Sequence, residues 1–453
     1  MKKSRKIVYI AILLVILLFL SLGWFFMVVF EGERPVVSLQ PLTPFLASGQ
    51  KFTLNISDRK RGLRTLRLSM EQEGKEIPIL QEPFPFKGFL NREGVHRYEK
   101  EVLVDPGTLR LAQGRADLVV SVWDYSRRSG GDGNLTVIRH KIIVDSIPPA
   151  IRTISRMHNV NRGGVGLVIY QLSPDARESG VFVNDLFFPG FPGGEDKSKG
   201  VNLCYYAIPR DSGPKPNLTL WAKDEAGNEA KAPFYSHIRE RRFRKEKMTI
   251  TDNFLSSVLP YFSFYPSSPE DSGIKKFLKI NRDLRKENHN TLVKLKDKTV
   301  PKMLWEGTWT RLENAANMAR FGDHRSYFYK GEKVDEQDHL GVDLASLVHS
   351  PVQAANHGRV IFTEKLGIYG LTVVLDHGQG LASFYGHLSK IEVPVDKEVK
   401  KGDVIGATGH TGLAGGDHLH FSIMLSGVFV NPLEWWDPHW IKDNVTKKLA
   451  LIQ

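Results

Sequence analysis

The first thirty residues constrain this chain more than any other stretch. Lys2, Lys3, Arg5 and Lys6 precede an uncharged, apolar run from Ile7 to Phe30, and Glu31 and Glu33 follow it. A hydrocarbon core offers backbone groups no water, so a single run of this kind crosses it only as a helix. At about 1.5 Å per residue it is long enough for a core of about 30 Å. The flanking charges place residues 1–6 as a cytoplasmic basic tail and 7–30 as a transmembrane helix, with everything later outside. The rival reading is a signal peptide cleaved near Ser21-Leu22-Gly23. Against it, Trp24 to Phe30 continue the apolar run past that point. The expected location is a cytoplasmic membrane, single-pass, with the bulk of the chain extracytoplasmic.

At 453 residues the chain exceeds one ordinary core, and about three domains are expected. With 41% hydrophobic and 25% charged residues it is globular rather than disordered. A net charge of +12 suits an anionic neighbour, either lipid or cell-wall polymer. No nucleic-acid module accompanies the charge, so no nucleic-acid partner is expected. Cys204 is alone, which excludes an intramolecular disulfide and a cysteine-rich zinc site.

Short alternating runs at 51–56, 63–68, 117–123 and 136–144, separated by turn residues, predict β-structure over 35–148. Pro148-Pro149 marks a stiff junction. Val120-Ser-Val-Trp-Asp124 echoes Leu220-Trp-Ala-Lys-Asp224. Two tandem immunoglobulin-like β-sandwich modules are therefore expected, at 35–148 and 149–240; one larger irregular β domain is the alternative. Phe188 to Gly194, rich in Gly and Pro, reads as an extended loop. The basic run 240–247 reads as a solvated face or a contact for acidic polymer. Beyond it, Phe277, Leu278, Ile280 and Leu284 fall roughly on one side of a helix, giving a helical connector over 241–300. From 301 to 436 short strands and glycine turns return, which predicts an antiparallel β domain. Residues 437–453 read as a C-terminal tail. The fold class expected is mainly β.

The chemistry lies in three stretches: His339-Leu-Gly-Val-Asp343, Tyr385-Gly-His387 and Asp417-His418-Leu-His420. Gly341 and Val342 argue against a helix there, so His339 and Asp343 belong to a loop or extended segment. His418 and His420, two apart in an apolar strand, project from one face. Two imidazoles side by side are costly unless they have partners or work. His387 is expected in a loop just after a strand ending at Tyr385.

Residues 320–435 resemble the lysostaphin/LytM-type zinc metallopeptidases. The matches are Phe321-Gly-Asp-His-Arg325, His339-x-Gly-x-Asp343, Ser350-Pro-Val352, Gly358-Arg-Val360, Asp376-His-Gly378, Tyr385-Gly-His387-Leu-Ser389, Gly409-His-Thr-Gly412 and His418-Leu-His420-Phe421, in family order. The resemblance implies a LytM-type C-terminal domain with one Zn²⁺ per chain on His339, Asp343 and His420. It makes His418 the general base and His387 the group that stabilises an oxyanion or shuttles a proton. The implied activity is that of a membrane-anchored endopeptidase on peptidoglycan cross-links. The alternative is a non-catalytic scaffold or activator of other wall hydrolases, as some members are. The β modules would bind wall polymer or an envelope protein, or act as spacers. Gly415-Gly-Asp417 departs from the commonest family form, in which a small residue, Gly and Pro precede His-x-His; Asp417 is expected to tune substrate preference or orient an imidazole.

Overall fold

The structure, a computed structural model, describes residues 2–194 and 200–452. It is mainly β. Lys2–Val29 forms one helix of 28 residues, with apolar side chains from Ile7 to Leu20 largely exposed, and it is long and apolar enough to cross a membrane. The chain divides into two compact units, 1–148 with 226–228, and 149–225 with 229–453.

In the first unit two sheets share a core. One has the order Val36–Gln40, Gln50–Ser57, Arg97–Val104. The other runs Phe45–Leu46, Leu135–Val144, Gly114–Asp124, Leu63–Gln72, Lys75–Pro83. Alternation explains the pairing. Phe52, Leu54 and Ile56 point inward from one sheet and meet Leu66, Leu68, Met70, Leu118, Val120 and Val122 from the other.

The second unit begins with two four-stranded sheets. Their orders are Phe191–Pro192, Val201–Ala207, Val165–Leu172, Ile151–Thr153 and Leu186–Pro189, Ala176–Val183, Leu218–Asp224, Glu229–Pro233. The expected loop at 188–194 is thus partly strand. Its prolines sit at strand ends on sheet edges, where a missing N–H costs nothing, and Phe188 is buried.

Three further expectations give way. The basic run is not wholly solvated: Phe243 packs on Phe321, and Arg244 pairs with Asp323 and Glu246. The connector opens with a strand, Lys245–Ile250, which pairs in parallel with His324–Tyr329; only after it come the helices Asp252–Val258, Gly273–Lys279 and Arg285–Lys294. Residues 437–453 are not a free tail. Asp437 caps a helix by accepting from the His439 N–H, and Ile441, Val445 and Lys448 are buried. Lys448 Nζ donates to the Leu167 carbonyl at 2.8 Å. Residues expected as separate bodies at 149–240 and 301–436 therefore share one apolar core.

Glu434 sits at that junction. Its carboxyl accepts from Asn161 Nδ2 at 2.8 Å and from the Val165 N–H at 3.0 Å. Burial pushes its pKa up to about 7, against the lowering effect of those two donors. An acid whose folded pKa is raised stabilises most below its unfolded pKa, and that stability is lost as pH rises through the folded value. Through this group alone, raising the pH from 4.5 to 8 is therefore expected to cost the wild type about 3 kcal/mol relative to Glu434→Gln. The buried histidines of the unit shift both proteins alike, so the difference between the two urea midpoints should change against the wild type over this range; a difference that stays constant with pH would refute it.

Candidate metal centre

The C-terminal sheet has eight strands, all paired antiparallel. Its order is Ala316–Ala319, Val342–Ala345, Leu419–Leu425, Leu381–Leu388, Leu371–Gly378, Gly358–Lys365, Glu398–Val399, with Val428–Val430 added beside Leu419–Leu425. Neighbouring strands bring the site together. Asp343 lies directly opposite His420, and Gly386 opposes His420 from the other side. Directly opposed antiparallel residues hold their Cβ atoms about 4.5–5.5 Å apart, so register alone brings the carboxylate to the imidazole. His339 enters from the segment before Val342–Ala345. Gly341 permits the close approach: a Cβ there would lie 2.6 Å from His420 Nε2 and 2.4 Å from Ser422 Oγ.

Three atoms converge. His339 Nε2 lies 3.0 Å from Asp343 Oδ1 and 3.1 Å from His420 Nδ1, and His420 Nδ1 lies 2.9 Å from the same Oδ1. These three residues form a cluster able to hold a metal ion. His339 Nδ1 faces the Arg320 carbonyl at 3.0 Å. A carbonyl only accepts, so a neutral His339 carries its proton on Nδ1 and turns a bare lone pair toward Asp343. His420 Nε2 faces Ser422 Oγ at 3.0 Å, which can take its N–H and leave Nδ1 bare as well. Two lone pairs and a carboxylate oxygen this close repel each other unless a cation lies between them. Tetrahedral N/O ligation at about 2.0–2.1 Å sets ligand atoms about 3.3 Å apart, close to these separations. The donor set fits a metal.

With protons on the rings of His339 and His420, their charge and N–H donation outweigh burial and hold the Asp343 carboxyl well below the usual carboxylate range, so the carboxylate is stabilised by positive charge at the point a metal ion would take. Burial lowers His420 to about 4, so its ring is neutral near pH 7. His387 is pushed well below the ordinary histidine value, first by burial and then by neighbouring His418 and His420.

His387 and His418 face each other across the edge of the cluster, with ring centroids 4.8 Å apart. His387 is not in a loop after the strand, as expected, but at the penultimate position of Leu381–Leu388. Its φ of 60° is the left-handed region that non-glycine residues rarely occupy, and register shifts within that ladder. Its Nδ1 contacts the Thr411 carbonyl at 2.8 Å, which leaves Nε2 as the free nitrogen. His418 Nδ1 contacts the Gly416 carbonyl at 2.9 Å, and its Nε2 lies 3.6 Å from Asp343 Oδ1.

Other histidines stay outside. His377 is fully buried against Trp309, between the His357 carbonyl and Ser383. His410 packs near Tyr261, and His324 pairs with Asp338. The Tyr385 hydroxyl is taken by the Ala355 N–H and by Ser383, so it packs under the site. Asp417 accepts from Thr408 Oγ1 at 2.6 Å and from the His349 N–H, tying its own loop. Sequence reasoning gave no role to Tyr369, whose ring lies 5.5 Å from that of His420, or to Arg325, which donates to Asp343 Oδ2 at 3.2 Å. Arg325 stood in the Phe321-Gly-Asp-His-Arg325 match, the only signal available.

Residues 337–432 match the family described as Peptidase family M23. This part of the chain is an M23 peptidase domain. The domain is similar to the DD-carboxypeptidase/endopeptidase Mpg of Neisseria meningitidis serogroup B, with 37% identity over 95 residues, 21% of this chain and 22% of that protein. It is equally similar to the murein hydrolase activator EnvC of Escherichia coli K12, with 37% identity over 95 residues, 21% of this chain and 23% of that protein. The catalytic domain of the antimicrobial peptidase lysostaphin from Staphylococcus simulans aligns at 27% identity, covering 29% of this chain and 98% of that one, with a TM-score of 0.25. The M23 match thus spans less than a quarter of the length of these curated relatives.

Proposed function

We propose that this chain is a membrane-anchored, zinc-dependent endopeptidase that hydrolyses peptide cross-links of bacterial peptidoglycan. The observation that carries the reading is the convergence of His339, Asp343 and His420, with two further imidazoles turned toward them. Three N/O ligands leave a fourth position open, the pattern of a catalytic rather than a structural site. Zinc bound there supplies Lewis acidity, polarising an amide carbonyl and lowering the pKa of a coordinated water to about 7.

The chain's own residues divide the remaining work. His418 carries its proton on Nδ1, so Nε2 accepts a proton from water beside Asp343. His387, kept neutral by burial, turns Nε2 toward the same space and donates to an oxyanion or to the leaving amine once protonated. The N-terminal helix supports placement of the enzyme at the inner membrane, with its N-terminus cytoplasmic and the M23 domain facing the wall. Residues 35–148 then act as a spacer or as a contact for wall polymer or an envelope protein.

The similarity to EnvC favours a second reading, an activator of other wall hydrolases. Metal content and turnover separate the two. The purified protein in detergent is expected to hold about one zinc and to release peptides from peptidoglycan sacculi. Metal-free, folded protein without turnover would favour the activator.

A further inference from the structure

Asp343 has two oxygens, and the structure uses them differently. Oδ1 faces His339 Nε2 and His420 Nδ1. Oδ2 accepts from Arg325 Nη2 at 3.2 Å. The Arg325 side chain is only 18% exposed, and its Nε donates at 3.2 Å to Glu246 Oε2. Glu246 is held in turn by Arg244, which also binds Asp323 Oδ2 at 2.7 Å. Arg325 and Glu246 sit directly opposite each other on the parallel strands His324–Tyr329 and Lys245–Ile250. Both precede residues 337–432, and Glu246 also lies before the stretch that resembles the family at 320–435.

We propose that Arg325, braced by Glu246, is a positioning residue that makes Asp343 a one-oxygen metal ligand. The inference rests on the metal-binding part of the proposed function. A carboxylate rotates easily and can bind a metal through one oxygen or two. With Oδ2 taken up by a guanidinium, only Oδ1 is presented to the cluster, and a coordination position stays open for water and substrate. The guanidinium is planar, always charged and forked, so one side chain bridges two carboxylates at fixed angles. An ammonium has no such fork. Glu246 matters because a lone Arg325 could swing away from Asp343; the strand pairing on the other side fixes its Nε end.

The test uses the full chain in detergent, with zinc affinity measured by competition with a chromophoric chelator and with cobalt(II) as spectroscopic probe. Arg325→Met is expected to weaken zinc affinity about 10- to 100-fold, the usual cost of losing a group that orients a ligand. Its cobalt spectrum should lose visible absorption intensity as Oδ2 joins the ion and coordination number rises. Arg325→Lys should not restore either property. Glu246→Gln should move both in the same direction by less. Thermal melts of the apo variants check folding, and a merely structural role would not alter the cobalt band shape. Wild-type zinc binding with unchanged affinity and spectrum in Arg325→Met overturns the positioning role alone. A wild type that binds neither ion overturns the function proposed above together with this inference.

Discussion

Asp343→Ala is expected to abolish stoichiometric zinc binding and, with it, peptide release from sacculi. Asp343 is the sole carboxylate of the cluster, and its Oδ1 makes the two closest approaches, 3.0 Å to His339 and 2.9 Å to His420. Without it two neutral imidazoles remain, and a site reduced from three protein ligands to two no longer holds zinc against water. The substitution also takes away one of the two carboxylates that the Arg325 guanidinium binds. Removing one partner of a buried pair typically costs 3–5 kcal/mol, so lost activity alone would not separate metal loss from unfolding. His420→Ala supplies the control, because it removes a ligand and leaves the Arg325–Asp343 pair in place. Both variants should be metal-free by elemental analysis after dialysis, and His420→Ala should keep a cooperative melt. One zinc per chain retained in both would refute the ligand set.

The residues that read correctly from sequence are those whose signal is local. His420 lies in the expected apolar strand, Leu419–Leu425, while His418 stands just before it, bridged to Gly409. Phe277, Ile280 and Leu284 are all buried, as helical spacing predicts, with Phe277 packed in a separate cluster and Leu278 only half-buried. The apolar run at 7–30 reads as one helix, and Lys2–Val29 forms one. The misread stretches depend on partners far along the chain. Lys245–Ile250 is half charged and mostly exposed, and its strand state comes from parallel pairing with residues about 80 positions on. No local period encodes that. Ile441, Val445 and Lys448 do show helical spacing, but a buried lysine is legible only once the Leu167 carbonyl that accepts its proton is in view. His387 fell outside the expected strand for a different reason. Its left-handed φ is imposed by the surrounding ladder rather than by its own preference. Arg325 combines both difficulties: Asp343 is 18 residues away and Glu246 is 79, and only the folded sheet joins them.

His418→Ala is expected to behave in the opposite way to the ligand variants, keeping about one zinc while turnover falls about 10²- to 10⁴-fold. The reason is positional. His418 is outside the three-residue cluster, and its Nε2 stands 3.6 Å from Asp343 Oδ1, against 3.0 and 2.9 Å for the two ligand imidazoles. Its side chain is 16% exposed, where those of His339 and His420 are 6% and 5% exposed, so it alone of the three can exchange protons with solvent between turnovers. Zinc lost along with rate would make His418 a fourth ligand and close the site to water. Zinc kept with an unchanged rate would hand proton abstraction to His387, whose ring lies 4.8 Å away and whose Nε2 faces the same space.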